Sequence, residues 1–308
     1  MYTTNLVVKV ASRCNLNCTY CYVYNMGDNS YKLQPKFMSI ETIKKIFERI
    51  KSHCLNNGLK DFLIIFHGGE PLLAGLDFYK NFIEIGKSVL KNDITIDYGM
   101  QTNGVLLDYN LAVELKKLKI QVGISIDGTE GSNNKNRIYH NNKGSYTEII
   151  NGFNIIKEVY GDKLANCICV IDTDESPFDV YKHFKEIGAR SVHFLFPDNN
   201  FKNTNYEDIP KVGEWLVLMF DLWYNDSDLN KPSIRPLTDL IGLILGYEKY
   251  SEIFGKGKNN TLVIETNGDI ETTDSLKICG DGFTKTKLNV ENNEFDEIYK
   301  SSNLAKQY

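Results

Sequence analysis

Six short apolar runs, spread along the first two thirds of the chain, limit what this sequence can fold into. They cover residues 6–10, 62–66, 94–100, 121–126, 167–171 and 191–196. Each is rich in β-branched or aromatic residues and none alternates strictly, so each reads as a buried strand. Amphipathic stretches of helical period lie between them, at 39–51, 77–90, 110–118, 146–159 and 177–187. Ser39 reads as an N-cap, and Gly188 suits the stop of the fifth helix. Strands alternating with helices predict parallel βαβ units with right-handed crossovers, which a doubly wound sheet and a barrel both satisfy. The placement of unusual residues favours the barrel. Cys14, Cys18 and Cys21 follow the first strand, Gly68-Gly69-Glu70-Pro71 the second, and Gln101-Thr102-Asn103-Gly104 the third. Ser125 and Asp127 end the fourth, and Leu195 to Asp198 end the sixth. Polar residues from many strands meeting at one carboxyl-end mouth are barrel logic. Six units rather than eight predict an α/β fold of the partial (β/α)6, TIM-like kind, open on one side.

The pattern changes after Pro197. Residues 202–208 are polar, 212–224 and 237–246 read as apolar helices, and Asn267-Gly268 joins two strand-like runs at 261–266 and 269–273. Asn-Gly in that setting is a strong hairpin signal. The expected organisation is a barrel over 1–229 and a small C-terminal extension over 230–308, hairpin and helices, covering the barrel mouth.

Composition excludes several classes. The 308 residues are 42% hydrophobic and 24% charged, with net charge −5. No Lys/Arg block is present, so a nucleic-acid partner is not expected. No run of about 18 apolar residues predicts a membrane span. The N-terminus lacks the charged start and apolar core of a signal peptide. Seven cysteines, clustered rather than spread, then point to a reducing cytoplasm and to metal or redox chemistry.

Three of the seven stand in Cys14-x3-Cys18-x2-Cys21, a spacing that lets three thiolates converge from one loop. A structural zinc site takes four ligands, and iron–sulfur clusters usually take four cysteines. Three leave one iron without a protein ligand, and an open position marks a site for reaction. The fourth place then belongs to a substrate or cofactor. The competing readings are zinc completed by His67 or Cys279, or a non-catalytic zinc- or redox-sensing module.

This loop, with Tyr20 just before the last cysteine, resembles the signature of the radical S-adenosylmethionine (SAM) enzymes. The resemblance implies a [4Fe–4S] cluster on Cys14, Cys18 and Cys21, with SAM on the open iron. It also implies a 5′-deoxyadenosyl radical, an electron from a flavodoxin- or ferredoxin-type reductant, and a partial barrel. Gly68 and Gly69 permit close backbone approach, and Glu70 can accept from a ligand ammonium. Ser125 and Asp127 are candidates for polar contact with the cofactor, and Arg137 for its carboxylate. Gln101 and Asn103 point at the same mouth, and Leu195 is placed to contact adenine.

The order of the loop, GGEP, QTNG and SIDG looks most like the peptide- and protein-modifying, SPASM-type branch. HFLFPDNNF and VIETNGDIETTDSLK resemble the cyclophane-forming maturases of ribosomally synthesised precursor peptides. Those join an aromatic ring to an unactivated β-carbon. On this likeness Asp274 is the candidate general base, with Glu265, Asp269 and Glu271 as competitors. Formylglycine-generating anaerobic sulfatase maturases and thioether-forming enzymes are the alternatives. One departure stands out. Beyond the loop only Cys54, Cys167, Cys169 and Cys279 remain, so the cysteine-rich block that holds auxiliary clusters in this branch is not matched. No leader-binding wing is apparent ahead of the barrel.

Overall fold

A computed structural model describes residues 2–91, 93–161, 165–202, 204–247, 254 and 260–302. The six expected strands are present: β1 (Asn5–Ala11), β2 (Asp61–Gly68), β3 (Thr95–Thr102), β4 (Ile120–Ser125), β5 (Asn166–Val170) and β6 (Ser191–Leu195). They pair in that order, every pair parallel. The helices are α1 (Ile40–Asn57), α2 (Leu76–Leu90), α3 (Tyr109–Lys117), α4 (Glu130–Asn136), α5 (Tyr146–Tyr160) and α6 (Pro177–Glu186). α7 (Ile209–Asn225) follows β6, and after β7 (Ser233–Ile234) comes α8 (Arg235–Ile244). The sheet is mixed with the C-terminal strands included but open rather than closed, which matches a partial TIM-like barrel. Helix starts follow local chemistry. The Ser39 hydroxyl accepts from Thr42 N at 3.1 Å, and Ser176 caps α6 with Pro177 in the first turn.

The strands alternate in burial where their sequences hardly alternate in polarity. In β2, Phe62, Ile64 and Phe66 are fully buried, while Leu63, Ile65 and His67 are half-buried on the opposite face. The buried face lies under the helices. Phe66 meets Tyr79 and Phe82 of α2 edge-on at 5.0 and 4.9 Å, and Phe82 meets Phe47 of α1 at 5.0 Å. Such ring pairs add about 0.5–1.5 kcal/mol beyond area burial. The other face lines the barrel interior. Among the described residues, no helix is long and apolar enough to cross a membrane.

The Asn-Gly hairpin forms as expected, with β8 (Thr261–Ile264) and β9 (Asp269–Glu271) antiparallel and Gly268 at φ +89°. It is not a separate layer. β8 pairs parallel with β1, from Asn5–Thr261 to Val8–Ile264, and β10 (Lys285–Asn289) pairs with β9 to end a ten-stranded sheet. β7, β10 and α4 carry too few residues, or too polar a pattern, to be read from sequence.

A buried ionic clasp holds this C-terminal part onto the chain just beyond the cysteine loop. Lys277 is 3% exposed, with Glu271 at 2.9 Å, Glu265 at 3.1 Å and Asp28 at 3.9 Å. Thr284 donates to Glu271, and Asp28 accepts from Gly282 N and the Ser30 hydroxyl. Removing the lysine leaves buried carboxylates without their cation, which typically costs about 3–5 kcal/mol. Lys277→Met is therefore expected to lower the thermal midpoint by several degrees and to expose residues 265–284 to proteolysis before the barrel. An unchanged midpoint would refute the clasp.

Candidate active site

The cysteine loop leaves β1 and is pinned on both sides. Asn17 N and Thr19 N donate to Ile138 O and Asn136 O, just after α4 and at its end, at 2.7 and 3.0 Å. On the other side the Gly68-Gly69 turn presses against its entry. Gly69 N donates to Ala11 O at 2.8 Å, and Glu70 N to Arg13 O at 2.9 Å. A Cβ on Gly69 would stand 2.0 Å from the Tyr24 hydroxyl and 2.3 Å from Arg13 O. Gly68 has φ +141°, and a Cβ there would lie 2.3 Å from Ala11 O. The close approach these glycines permit is to the protein's own cysteine loop.

Cys14, Cys18 and Cys21 are free and half-buried. Burial pushes all three thiols up, Cys18 to about 11, although the Arg137 cation pulls Cys18 down and backbone N–H groups pull Cys14 and Cys21 down. Without metal they are protonated at neutral pH, so loading a cluster displaces protons. Leu16 N already points at Cys14 Sγ, 3.4 Å away, and the Asn103 side-chain amide lies 3.8 Å from the same sulfur.

Glu70 is buried and braces this region. Its carboxylate accepts from Leu72 N (2.9 Å), the Thr102 hydroxyl (2.6 Å) and Asn103 N (2.9 Å). Burial raises its pKa, against those three bonds. A carboxylate has about four acceptor positions, so three are filled by the chain itself. Asn103 in turn donates to Asn15 in the cysteine loop at 2.8 Å. The GGEP turn, the QTNG turn and the cysteine loop thus form one connected unit.

Opposite stands a second unit. The Tyr20 hydroxyl donates to Asp127, and Arg137 Nε faces the same carboxylate at 3.0 Å, its guanidinium 5.8 Å from the Tyr20 ring centre. Asp127 also accepts from Val170 N at 3.1 Å. Gln101 donates to the Ser125 hydroxyl at 2.9 Å, in the space left because residue 123 is glycine. Leu195 ends β6, half-buried, and its carbonyl accepts from Ile171 N.

Asp274 reaches the mouth from just beyond β9, where it pairs with Lys9 and accepts from the Tyr22 hydroxyl at 2.9 Å. Burial acts to raise its pKa, but the Lys9 ammonium overrides this and holds the carboxyl well below the usual range. Its competitors are engaged elsewhere: Glu265 and Glu271 with Lys277, Asp269 with Asn267 and Asn289. Sequence reasoning missed Lys9 because a lone lysine in an apolar strand carries no motif. A charged residue at a core position was the available signal. Of the two residues considered as completing a zinc site, Cys279 is exposed and His67 sits inside the barrel beside Lys9.

The donor set fits an iron–sulfur cluster with a bound cofactor. Three soft thiols share one loop, and the buried Asn15 Nδ2 and Tyr24 hydroxyl beside them lack hydrogen-bond partners among the described residues. Both can donate to sulfide or carboxylate acceptors. Among the described residues no three His, Cys, Asp or Glu side chains converge on one point, as a single ion needs. Sulfurs that each ligate a different iron need no such convergence.

A partial barrel carrying a three-cysteine loop at its carboxyl-end mouth defines the class of enzymes that use a cluster with one open iron. The chain belongs to the radical SAM superfamily, whose family model matches residues 8–187. That family uses a [4Fe–4S] cluster and SAM. A cysteine-type anaerobic sulfatase-maturating enzyme of Clostridium novyi (strain NT) is 31% identical across 100% of this chain and 82% of its own length. A serine-type enzyme of Bacteroides thetaiotaomicron is 28% identical over 87% of this chain and 68% of its own. The solved structure of native anSMEcpe with bound AdoMet and Cp18Cys peptide has a TM-score of 0.82 and 26% identity, covering 99% of this chain and 81% of that one. These relatives place the chain in the peptide- and protein-modifying branch and overturn the cyclophane expectation. The C-terminal likeness behind that expectation rested on short aromatic and hairpin stretches, whereas similarity to the sulfatase maturases runs the whole length.

Two outcomes test the site. Gly69→Ala is expected to lower iron per chain after anaerobic reconstitution by more than half while far-UV circular dichroism is unchanged; full iron loading would contradict the pressed turn. In metal-free protein, Cys18 should be alkylated roughly tenfold or more slowly than free cysteine at pH 8, its rate climbing toward pH 11.

Proposed function

We infer that this protein is a radical SAM maturase that oxidises the side-chain β-carbon of a cysteine, or a serine, in a peptide or protein substrate to the aldehyde of formylglycine. The observation that carries this is the 31% identity to a cysteine-type anaerobic sulfatase-maturating enzyme along the entire chain. The site chemistry agrees with it. Cys14, Cys18 and Cys21 hold the cluster. Asn103 and the GGEP turn, braced by Glu70, border one side of the SAM site; Tyr20, Asp127 and Arg137 border the other. Gln101 and Ser125 supply polar contacts from the barrel interior, and Leu195 an apolar one. When bound, cluster and SAM supply a one-electron oxidant able to remove a hydrogen atom from carbon.

The chain's own residues bind, orient and exclude water. The Asp127–Arg137 pair puts a buried cation beside Cys18, which favours the thiolate that a metal needs. Asn103 joins cofactor turn to cysteine loop, so one movement cannot displace the first without the second. In this reading residues 1–229 carry the cofactor end, and 230–308 bring Asp274 to the substrate side. The electron comes from a flavodoxin- or ferredoxin-type reductant, and an oxygen-sensitive cluster suits a cytoplasmic setting.

The test is anaerobic reconstitution followed by incubation with reductant, SAM and peptides carrying one cysteine or one serine. Mass spectrometry is expected to show sulfur replaced by oxygen with loss of two hydrogens at cysteine, or loss of two hydrogens at serine, trapped as a hydrazone. A thioether or an unmodified peptide would reject the reading. Cys18→Ala should abolish both the visible cluster absorption and product.

A further inference from the structure

α7 is rich in apolar residues, yet of its seventeen residues only Trp215 and Met219 are buried. Trp215 fastens one end of the helix. Its ring meets Phe194 of β6 at 5.1 Å, and its indole N–H donates to Glu175 O, just ahead of α6, at 3.0 Å. At the far end Asp226 accepts from the Tyr181 hydroxyl of α6 at 2.7 Å and from Lys185 at 2.5 Å. Between these fastenings α6 and α7 leave a surface groove of about 490 Å³, floored by Pro177, Phe178, Leu218 and Leu222. It runs on into a second recess of about 360 Å³ that shares Phe178 and Leu222. Phe178 is 56% exposed and Leu218 55%, and Val217 and Tyr224 add exposed apolar surface to the same helix. Contiguous apolar exposure along a groove marks an interaction site.

The charges around this groove do not balance. Each lysine of the two helices is already answered: Lys185 by Asp226 and Asp228, Lys182 by Glu186 at 3.7 Å, and Lys211 by Asp208 at 2.6 Å. Asp179, Glu214 and Asp221 are exposed and have no ion-pair partner among the described residues. Asp221 lines the groove, Asp179 adjoins Phe178, and Glu214 lies one helical turn before Leu218. An apolar floor with a rim of unanswered carboxylates fits a helix whose apolar stripe is flanked by Lys or Arg. A second copy of the chain fits worse, because a two-fold contact sets this rim against an identical one. An anionic electron carrier is repelled by the same carboxylates. The groove also opens at the mouth. Val170 ends β5 beside Asp127, to which its N–H donates, and Ser176, lining the groove, lies six positions further on, at most about 22 Å of chain.

We propose that the α6–α7 groove docks a basic amphipathic helix of the peptide or protein substrate, remote from the side chain that is oxidised. This rests on the peptide-oxidation reading above. The helix lays its apolar stripe on Phe178, Leu218 and Leu222 and turns its cations toward Asp179, Glu214 and Asp221. A linker of about six residues or more carries the substrate from the groove, past the β5–α6 turn, to the mouth. Docking there raises the local concentration of the reactive residue and makes no contact with the reacting atoms. It therefore lowers KM and leaves kcat unchanged.

Two measurements decide it. The first reads binding alone, by fluorescence anisotropy on the full chain. The probe is a labelled peptide of about 14 residues with leucines at helical spacing and lysines between them, and its control carries glutamate for lysine. The wild type is expected to bind the Leu/Lys peptide and not the Leu/Glu one. E214K/D221K should weaken the Leu/Lys complex roughly fivefold to tenfold and admit the Leu/Glu peptide, and L218E should weaken it as well. All three positions are exposed, so circular dichroism should not change. Equal affinity in the wild type and both variants overturns the proposal. The second measurement uses reconstituted enzyme and a cysteine peptide joined to either helix by a linker of about eight residues. The Leu/Lys tail is expected to lower KM about tenfold with kcat within about twofold, and E214K/D221K should pass that advantage to the Leu/Glu tail. Equal KM for the two tails overturns the proposal. So does displacement of the Leu/Lys peptide by flavodoxin, which assigns the groove to the electron donor, or a dimer in sedimentation that L218E disperses, which assigns it to a second copy. A wild type that binds the Leu/Lys peptide but oxidises neither cysteine nor serine refutes the peptide-oxidation reading, and with it the substrate as occupant, while the groove's preference for a cation stands.

Discussion

The whole mouth depends on one backbone contact, the two hydrogen bonds from the GGEP turn to the first residues of the cysteine loop. It brings two main chains too close for any side chain at residue 69. Everything else follows in sequence. Glu70 is drawn under the turn and ties it to Thr102 and Asn103. Asn103 reaches Asn15 and the edge of Cys14. A loop that would otherwise be free at one end is thereby set against the carboxyl ends of three neighbouring strands. Such pre-organisation matters where soft ligands must meet a cluster at fixed positions, because the ordering entropy has been met during folding rather than on loading.

Charge is handled inside this barrel by local pairing. Arg137 answers Asp127, Lys9 answers Asp274, and Lys277 answers Glu265 and Glu271. Buried pairs of this kind contribute little net stability against an apolar alternative. Their value lies in specificity, since each joins segments far apart in sequence. Lys9 with Asp274 and Lys277 with Asp28 both tie the C-terminal segment to the start of the barrel.

Much of the fold was readable from residues alone, because parallel strands leave apolar runs and helices leave periodic stripes. The strand ends near Cys14, Gly69, Gln101 and Ser125 were readable because each carries residues a strand or helix does not need. What could not be read is long-range. Nothing local in residues 261–264 says that they lie beside β1, and nothing local in Lys9 announces its partner 265 residues away. Glu70 shows a different limit. Its neighbours fix it as a site residue, but only the folded structure shows that most of its acceptor positions are filled by the protein. The likeness of short C-terminal stretches to cyclophane-forming enzymes misled for a related reason: aromatic runs and Asn-Gly hairpins are common solutions to packing and turning.

The parallel pairing of β8 with β1 has a consequence for biogenesis. β1 is made well before its outer neighbour, since Thr261 follows Asn5 by 256 positions. Until residues 261–264 emerge, the strand that carries the cysteine loop has an open edge of unpaired amide and carbonyl groups, and closing that gap spans most of the chain. The loop therefore reaches its final setting only after residues 261–264 have been made. Iron delivered to a nascent chain before then would meet thiols whose supporting strand is unfinished.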